Sequence, residues 1–533
     1  MTDSSEIKTA LRSVGELLAV LDPELRAEAL ACGPTTPLGP PKTDSRAVEP
    51  GDCFVAIPGL TVDGHAFIER ALAAGATTLV VQRDREVPSA AARIVVDDTV
   101  AALATLAAGF YDWPGEHMWL AGITGTNGKT TTAHLVAAVL RAAGRPHVRL
   151  GTTGNWLVDH ESDAGFTTPF PTELQSLLAK ARERGATHGV MEVASHALVQ
   201  RRAKPLRFRA VALTSFSQDH LDYHRTMADY FEAKCLLARE YCLHSGVAVA
   251  PREQGEAAAA FLRAAAEAGV ARCWRSSRTP VATREAEIAV VERHTAPLGL
   301  AARVRTPVGE LELRSPIVGE YNLDNLLVAI GLSIGLGVEL EHIEAALALA
   351  GGAPGRLELV TVPELDGPTV YVDYAHTPDA VARALEALRP SATRSGGKLV
   401  VLLGCGGDRD ASKRPLMGEI ASRGADRFIA TSDNPRTEDP DTIVDQMIAG
   451  ALAPKEGGAE LIREVDRGAA IARMIAEADR RDVLLIAGKG HEDYQILGTT
   501  KIHFDDREQA ERALRAALIA GPCPASGRRR QPD

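Results

Sequence analysis

Short apolar runs closed by polar or glycine-rich turns recur along this chain, and between them apolar residues fall at helical spacing. "DCFVAIPG" and "ATTLVVQ" read as strands flanking a helix, "HAFIERALAAG", so residues 36–117 predict a small α/β unit that closes on a Pro-Gly linker, "WPGEH". The stretch "LAGITGTNGKTTTAHLVAAVL" at 120–140 changes period part-way, from an apolar lead-in through a Gly-rich turn to an amphipathic run. Strand, loop and helix are predicted there. "THGVMEVAS", "AVALTSFS" and "GVAVA" repeat the strand signal with helical stretches between them, which predicts a mostly parallel sheet covered by helices. Between 250 and 320 the pattern alternates, as in "EIAVVERH" and "LAARVRTPVGELELRSPI", and predicts a smaller antiparallel section. "GEYNLDNLLVAIGLSIGLG" then returns to helix. Beyond a Gly/Pro hinge at 351–358, "TVYVDYA", "KLVVLLGCGG", "RFIATSDNPR" and "DVLLIAGKG" are four buried-strand candidates, each running into a polar or Gly-rich loop.

The chemistry begins in the loop "GTNGKTT". Loop amides and the positive end of a helix bind anions. Lys129 is placed to reach outer phosphates, and the Thr130 hydroxyl suits magnesium. The usual spacing puts a glycine where this chain has Ile123, so the loop is a variant form. The expected fold class is therefore α/β in three domains: a small N-terminal α/β domain (36–117), a central P-loop domain with a mostly parallel sheet (118–352), and a C-terminal Rossmann-like α/β domain (353–520). Residues 1–35 read as a helical extension of no legible function, and 521–533 as a disordered tail.

Length and composition agree with this division. At 533 residues about three domains are expected, and 45% hydrophobic with 24% charged residues is ordinary for a globular protein. A net charge of −11, with no basic cluster except "GRRR" near the end, argues against a nucleic-acid partner. The seven cysteines include no C-x-x-C pair, which suits a reducing compartment. The acidic, amphipathic N-terminus lacks the layout of a secretory signal, and no apolar stretch reaches the roughly 20 residues of a membrane span. A cytoplasmic protein is expected, without membrane partners and acting as a monomer.

Six further clusters carry candidate chemistry. In "MEVASHAL", Glu192 ends a strand, where its carboxylate suits a hard cation; a plain polar turn is the competing reading. "SQDHLDYH" packs Asp219, His220, Asp222 and His224 closely enough for a metal or catalytic site. Lys234 lies in an apolar helix stretch, "DYFEAKCLL", where a lone lysine would ordinarily snorkel to the surface. "VDYAHTPDAV" places Asp373 and His376 at a strand end. "GCGGDRDASKRP", with Arg409, Lys413 and Arg414, offers amides and cations to anions. "TSDNPRTEDP" and "AGKGHEDYQ" end the remaining strands, and strand ends are where ligands bind in such sheets. Several anion-suited loops beside a nucleotide loop predict a multidomain ATP-dependent enzyme for an anionic small molecule, completed by domain closure.

These motifs in this order resemble the Mur ligase superfamily from about residue 36 to 516: "GTNGKTT", "EVASH", "DHLDYH", "YFEAK", "YNLDN", "GRLE" and "DYAHTPD". Folylpolyglutamate synthetases share part of the set. "TSDNPR" and "GKGHE" are similar to the members that add meso-diaminopimelate to UDP-N-acetylmuramoyl-L-alanyl-D-glutamate in peptidoglycan synthesis. The resemblance implies ATP and Mg2+ and a two-step reaction through an acyl phosphate. It implies that Gly125, Thr126, Asn127, Gly128, Lys129, Thr130 and Thr131 hold ATP phosphates, and that Asn322, Asn325, Arg356, Asp373, His376 and Lys413 complete the nucleotide site. Lys129, Glu192, His220 and Lys234 are the implied catalytic set. Thr130, Glu192, His220 and a carbamylated Lys234 are the implied metal ligands. Ser45, Thr167, Thr168, Ser195, Gln200 and Arg202 match contacts to the UDP-muramoyl dipeptide. Arg409, Asp433, Asn434, Pro435, Arg436, Gly488 and Glu492 match the diaminopimelate pocket. Two positions depart from the family pattern: Ala194 stands for the first serine of "SSH", and Phe166 for an asparagine before the threonine pair. L-lysine as acceptor, or a P-loop ATPase without ligase activity, are the competing expectations.

Overall fold

The computed structural model describes residues 10–520, apart from 60, 61, 86, 89, 90, 222, 283, 295–298, 363–366 and 454–456. The runs rich in branched apolar residues become strands of three main sheets, buried on both faces as parallel sheets require. In the first sheet the order is Glu28–Leu30, Arg93–Val96, Thr78–Gln82, Cys53–Val55 and Pro41–Lys42; only the first of these strands is antiparallel to its neighbour.

In the segment read as a helical extension, residues from Leu11 onward pack into the core of the first sheet. The helix Val14–Val20, capped by Ser13 and Glu16, buries Val14 and Leu17. Leu11, Val14, Leu17, Leu21 and Leu25 share a core with Val80, Ile94 and Leu106. The apolar face of this helix covers the first core.

The second sheet has eleven strands. At its centre Trp119–Thr124 lies between His188–Glu192 and Phe208–Leu213, all parallel. His147–Gly151 continues the parallel set on one side, and Cys242–Pro251, Arg272–Ser277 and Ile288–His294 on the other. The alternating region after residue 250 does not form a sheet of its own. Leu300–Thr306 and Gly309–Ser315 extend the same sheet, and Ile288–His294 joins it in parallel. Leu300–Thr306 and Gly309–Ser315 are adjacent strands joined by a two-residue turn, and at the opposite edge Gly154–Leu157 and His160–Ser162 fold back antiparallel on His147–Gly151.

The third sheet runs Glu358–Val360, Thr369–Asp373, Val483–Ala487, Leu399–Cys405, Arg427–Ser432 and Glu460–Arg463, parallel but for its first strand. The direction of winding reverses around Val483–Ala487, and loops at such a switch point are where ligands bind. By contact the chain divides into two units. One comprises residues up to His294 with Ala302–Leu313 and Asp324–Ala348; the other is chiefly Leu349 onward with Arg314–Leu323. No described helix is long and apolar enough to cross a membrane, and the six described cysteines are all free.

One buried ion pair fastens the strand ends of the third sheet. Arg467 donates through Nε and Nη2 to both carboxylate oxygens of Asp506 (2.7 and 2.6 Å) and reaches the carbonyls of Ser432 and Ala487 (3.2 and 3.0 Å). Neither side chain is exposed to solvent. Removing one partner strands a charge in the interior. Asp506→Ala is therefore expected to lower unfolding free energy by about 3–5 kcal/mol, measured by denaturant titration. The paired change Arg467→Met with Asp506→Leu should recover most of the loss.

Candidate functional site

The strand Trp119–Thr124 ends in the loop and the helix Lys129–Ala142 follows. Gly125 and Gly128 have positive φ (152° and 87°), and a Cβ on either would collide with the Thr214 hydroxyl or the Asn325 amide oxygen. Only glycine permits this turn. Its shape is held from the neighbouring strand end: Thr214 and Ser215 hydroxyls donate to Asn127 O (2.6 and 3.0 Å), and Asn127 N donates to Ser215 Oγ (2.8 Å). The Lys129 ammonium donates to the carbonyls of Gly125 and Thr126 (2.8 and 3.0 Å).

Register explains the next contact. Glu192 pairs with Ile123, so its carboxylate arises level with the start of the loop. It accepts from the Thr130 hydroxyl (3.0 Å), the Thr152 amide (2.9 Å) and the Thr152 hydroxyl (3.1 Å). Thr167 joins through Thr152 (3.1 Å), and Thr168 bridges Glu192 O and Ala194 N (2.9 and 3.0 Å). A buried carboxylate beside a threonine hydroxyl at a phosphate-suited loop is the oxygen donor set that magnesium takes, with substrate phosphate and water filling the rest. Among the described residues, no group of three or more His, Cys, Asp or Glu could hold a metal alone.

Lys234 does not snorkel. It is 1% exposed, with its nitrogen 4.2 Å from the centroid of the Tyr230 ring. Burial pushes its ammonium well below the usual lysine range; Lys129 adds to the effect and Asp219 opposes it. Tyr230 reaches the Thr126 hydroxyl (3.2 Å), and the His220 ring lies against the Tyr230 ring (5.9 Å between centroids). His220 is exposed, with φ of +53°, and its Nε2 is 3.5 Å from the Asp219 carboxylate. Tyr230, quoted in the motif but given no role, links His220, Lys234 and the phosphate loop. Asp222 lies outside the described residues. His224 is buried and hydrogen-bonded to Ser195 (3.0 Å). Arg202 donates to Gln200 Oε1 (2.7 Å) and Thr168 O (3.1 Å). Ser45 is buried in the turn Ser45–Ala47, which Asp44 caps, and shares no hydrogen bond with this network among the described residues.

In the other unit, Asp373 ends its strand buried and accepts from Leu357 N (2.6 Å). Arg356 lies over the Tyr374 ring (4.8 Å), His376 Nδ1 meets Tyr374 O (2.7 Å), and Lys413 donates to His376 O (2.8 Å). Asn322 is buried at the first turn of Glu320–Gly335 and donates to Val318 O (2.7 Å).

Burial raises Asp373 to about 6, against the pull of Arg356 and backbone amides. The folded state then keeps a proton that the unfolded chain has lost. Its stabilising share is present at acid pH and lost as pH rises through about 6. Asp373→Asn is therefore expected to raise stability at pH 7.5 by on the order of 1–3 kcal/mol, the gap closing near pH 4.5. Denaturant midpoints at the two pH values check this.

Two strand-end loops meet around Lys489, which the sequence reading did not select. The fully buried ammonium lies 3.5 Å from Asp433, 3.6 Å from Glu492 and 3.4 Å from Asn434 Oδ1. Asn434 donates to Glu492 (2.9 Å), and Gly488, with φ of 118°, donates its amide to Asp373 O (3.1 Å). Glu492 is raised by burial and by Asp433. Arg436, at φ 51°, is held by backbone bonds to Ile496 and Gly498 (3.1 and 2.8 Å) and donates Nη1 to Gly407 O (2.7 Å). Its Nε and Nη2 have no partner among the described residues. Pro435 accompanies it in the turn, and Gly407 N donates to Asn434 O (2.9 Å). Arg409 is exposed and donates weakly to Asp408 O (3.4 Å). Arg414 does not serve as an anion-binding cation: Glu438 holds it bidentately (2.8 and 2.9 Å).

Family models match most of the chain: Mur ligase family, catalytic domain, over 42–111; Mur ligase middle domain over 123–333; and Mur ligase, glutamate ligase domain, over 355–490. The chain belongs to the Mur ligase family. It is an ATP-dependent ligase of peptidoglycan synthesis. It is 46% identical over 474 residues to the UDP-N-acetylmuramoyl-L-alanyl-D-glutamate–2,6-diaminopimelate ligase of Gloeobacter violaceus, covering 89% of this chain and 93% of that one. The ligase of the same name from Prochlorococcus marinus is 46% identical over 490 residues, with 89% and 94% covered. A solved structure of a ligase of that name superposes with a TM-score of 0.69 at 29% identity, covering 95% of this Mur ligase and 99% of that chain.

Proposed function

We propose that this chain joins meso-diaminopimelate to UDP-N-acetylmuramoyl-L-alanyl-D-glutamate with ATP hydrolysed to ADP and phosphate. A carboxylate oxygen of the D-glutamyl residue attacks the γ-phosphorus, and the bond to ADP breaks. The amine of diaminopimelate then attacks the acyl carbon, and the tetrahedral intermediate expels phosphate as the nitrogen loses its proton. Positioning and charge neutralisation carry such a reaction. The amides of Gly125 to Thr131 and the Lys129 ammonium are assigned to the phosphates. Asn322, Asn325, Arg356, Asp373, His376 and Lys413 are assigned to the rest of the nucleotide. Thr130, Glu192, His220 and carbamylated Lys234 would hold magnesium, which when bound screens phosphate charge.

Ser45, Thr167, Thr168, Ser195, Gln200 and Arg202 are assigned to the nucleotide-sugar dipeptide. Arg409, Asp433, Asn434, Pro435, Arg436, Gly488 and Glu492 are assigned to the incoming amino acid. The observation that carries the choice of acceptor is the guanidinium of Arg436, fixed by Gly407 O with one edge left to bind. A carboxylate takes that edge bidentately; the ammonium of lysine does not. Phosphate release with the UDP-muramoyl dipeptide, comparing diaminopimelate with L-lysine, tests the reading. A preference for lysine would overturn it.

A further inference from the structure

We propose that Phe166 and Phe170 are positioning residues for Arg202, clamping its guanidinium so that Nη2 meets a carboxylate of the muramoyl-dipeptide substrate. The inference rests on the function proposed above. Arg202 Cζ lies 3.8 Å from the centroid of the Phe170 ring and 5.6 Å from that of Phe166. The two rings meet edge to face, 5.0 Å apart. Both are large and apolar, yet Phe166 is 50% and Phe170 41% exposed. Rings that project side by side into solvent bury little core, and here each has the same cation as its neighbour.

The guanidinium is committed on two of its three nitrogens. Nε donates to Gln200 Oε1 (2.7 Å) and Nη1 to Thr168 O (3.1 Å). Nη2 has no partner among the described residues. Thr168 is itself fixed to Glu192 O and Ala194 N (2.9 and 3.0 Å), so Arg202 is tied to the strand end that also carries the Thr130 contact. Phe170 has little backbone freedom. It sits at the N-cap position of the helix Pro171–Glu183, before a proline, and its carbonyl accepts from Leu174 N (2.8 Å).

The consequences are physical. A ring face attracts the cation and shields it from water. The remaining N–H groups then meet an anion from a fixed direction, with little side-chain ordering left to lose on binding. ATP has no carboxylate, and those of diaminopimelate are assigned to the Arg436 pocket, which leaves the dipeptide as the partner of Arg202. The effect should therefore fall on one substrate.

The test uses the full-length enzyme, with each substrate varied in turn. In Phe170→Leu the KM for the UDP-muramoyl dipeptide is expected to rise about tenfold, the equivalent of about 1.4 kcal/mol. Phe166→Leu should give a smaller rise. The KM values for ATP and diaminopimelate and kcat should stay within about twofold, a spread under about 0.5 kcal/mol. Phe170→Tyr, which keeps the ring face, should restore the wild-type KM. An unchanged KM in Phe170→Leu would overturn the clamp, as would a Phe170→Tyr enzyme as poor as the leucine variant. All three KM values rising together with a lower melting temperature would overturn it too. Wild-type enzyme inactive on the UDP-muramoyl dipeptide would instead sink the functional reading and, with it, the ligand of the clamp.

Discussion

Replacing Lys234 by alanine is expected to cut diaminopimelate-dependent phosphate release by on the order of 10²–10³-fold, the loss typical of removing one preorganised electrostatic group. The reason lies in burial. An ammonium at 1% exposure, with Lys129 as a like-charged neighbour, is held well below its usual range, which favours the amine form. A neutral amine is a nucleophile toward dissolved carbon dioxide. Its nitrogen forms the bond to carbon, a proton is lost to solvent, and a carbamate oxygen replaces a cation. That conversion would relieve the conflict with Lys129 and would make the lysine an oxygen ligand for a hard cation. Wild-type enzyme equilibrated with 13C-labelled bicarbonate should show a carbamate resonance that Lys234→Ala lacks. Lys234→Arg, which stays charged and cannot form the carbamate, should be as inactive as the alanine variant. Wild-type-like turnover in Lys234→Ala would remove Lys234 from the catalytic set.

Arg436→Ala should change which amino acid is used. Loss of a bidentate pair to a charged group costs about 3–5 kcal/mol when the partner is left buried, so kcat/KM for diaminopimelate should fall by about 10²–10⁴-fold. The value for L-lysine, which has no second carboxylate, should hold or rise. Arg436→Lys should behave like the alanine variant, because the three donors of an ammonium diverge from one nitrogen and cannot meet both carboxylate oxygens in parallel while keeping the Gly407 contact. The ratio of the two kcat/KM values is the measurement. Equal losses for both acceptors would mean that Arg436 supports the turn and does not choose the amine.

Much of the site was legible because strand ends and Gly-rich turns announce themselves locally. "GTNGKTT" needs glycine at two positive-φ positions, and both are there. The four strands proposed after residue 351 all form. What was not legible depended on long-range pairing. Thr152 follows a strand with no motif around it, yet it supplies two of the hydrogen bonds to Glu192. Lys489 sits inside a quoted motif but became central only when a distant loop brought Asp433 to it, opposite Glu492 three residues on. Arg467 and Asp506 lie in separate helices with no signal in either segment to join them. The N-terminal helix looked like an appendage because its partners, Val80, Ile94 and Leu106, are far along the chain.

By itself the sequence determined the order of elements, the phosphate-suited loop, the carboxylate and lysine available to it, and the family. These follow from short-range rules: the period of apolar residues, the turns that only glycine makes, and the chemistry of each side chain. The tertiary structure decided the electrostatic state of those groups. Lys234 is one residue type in one motif, and its spacing alone favoured a solvated ammonium. Packing against Tyr230 and beside Lys129 pushes its ammonium well below the usual lysine range, because desolvation depends on what surrounds a group and not on its neighbours in the chain.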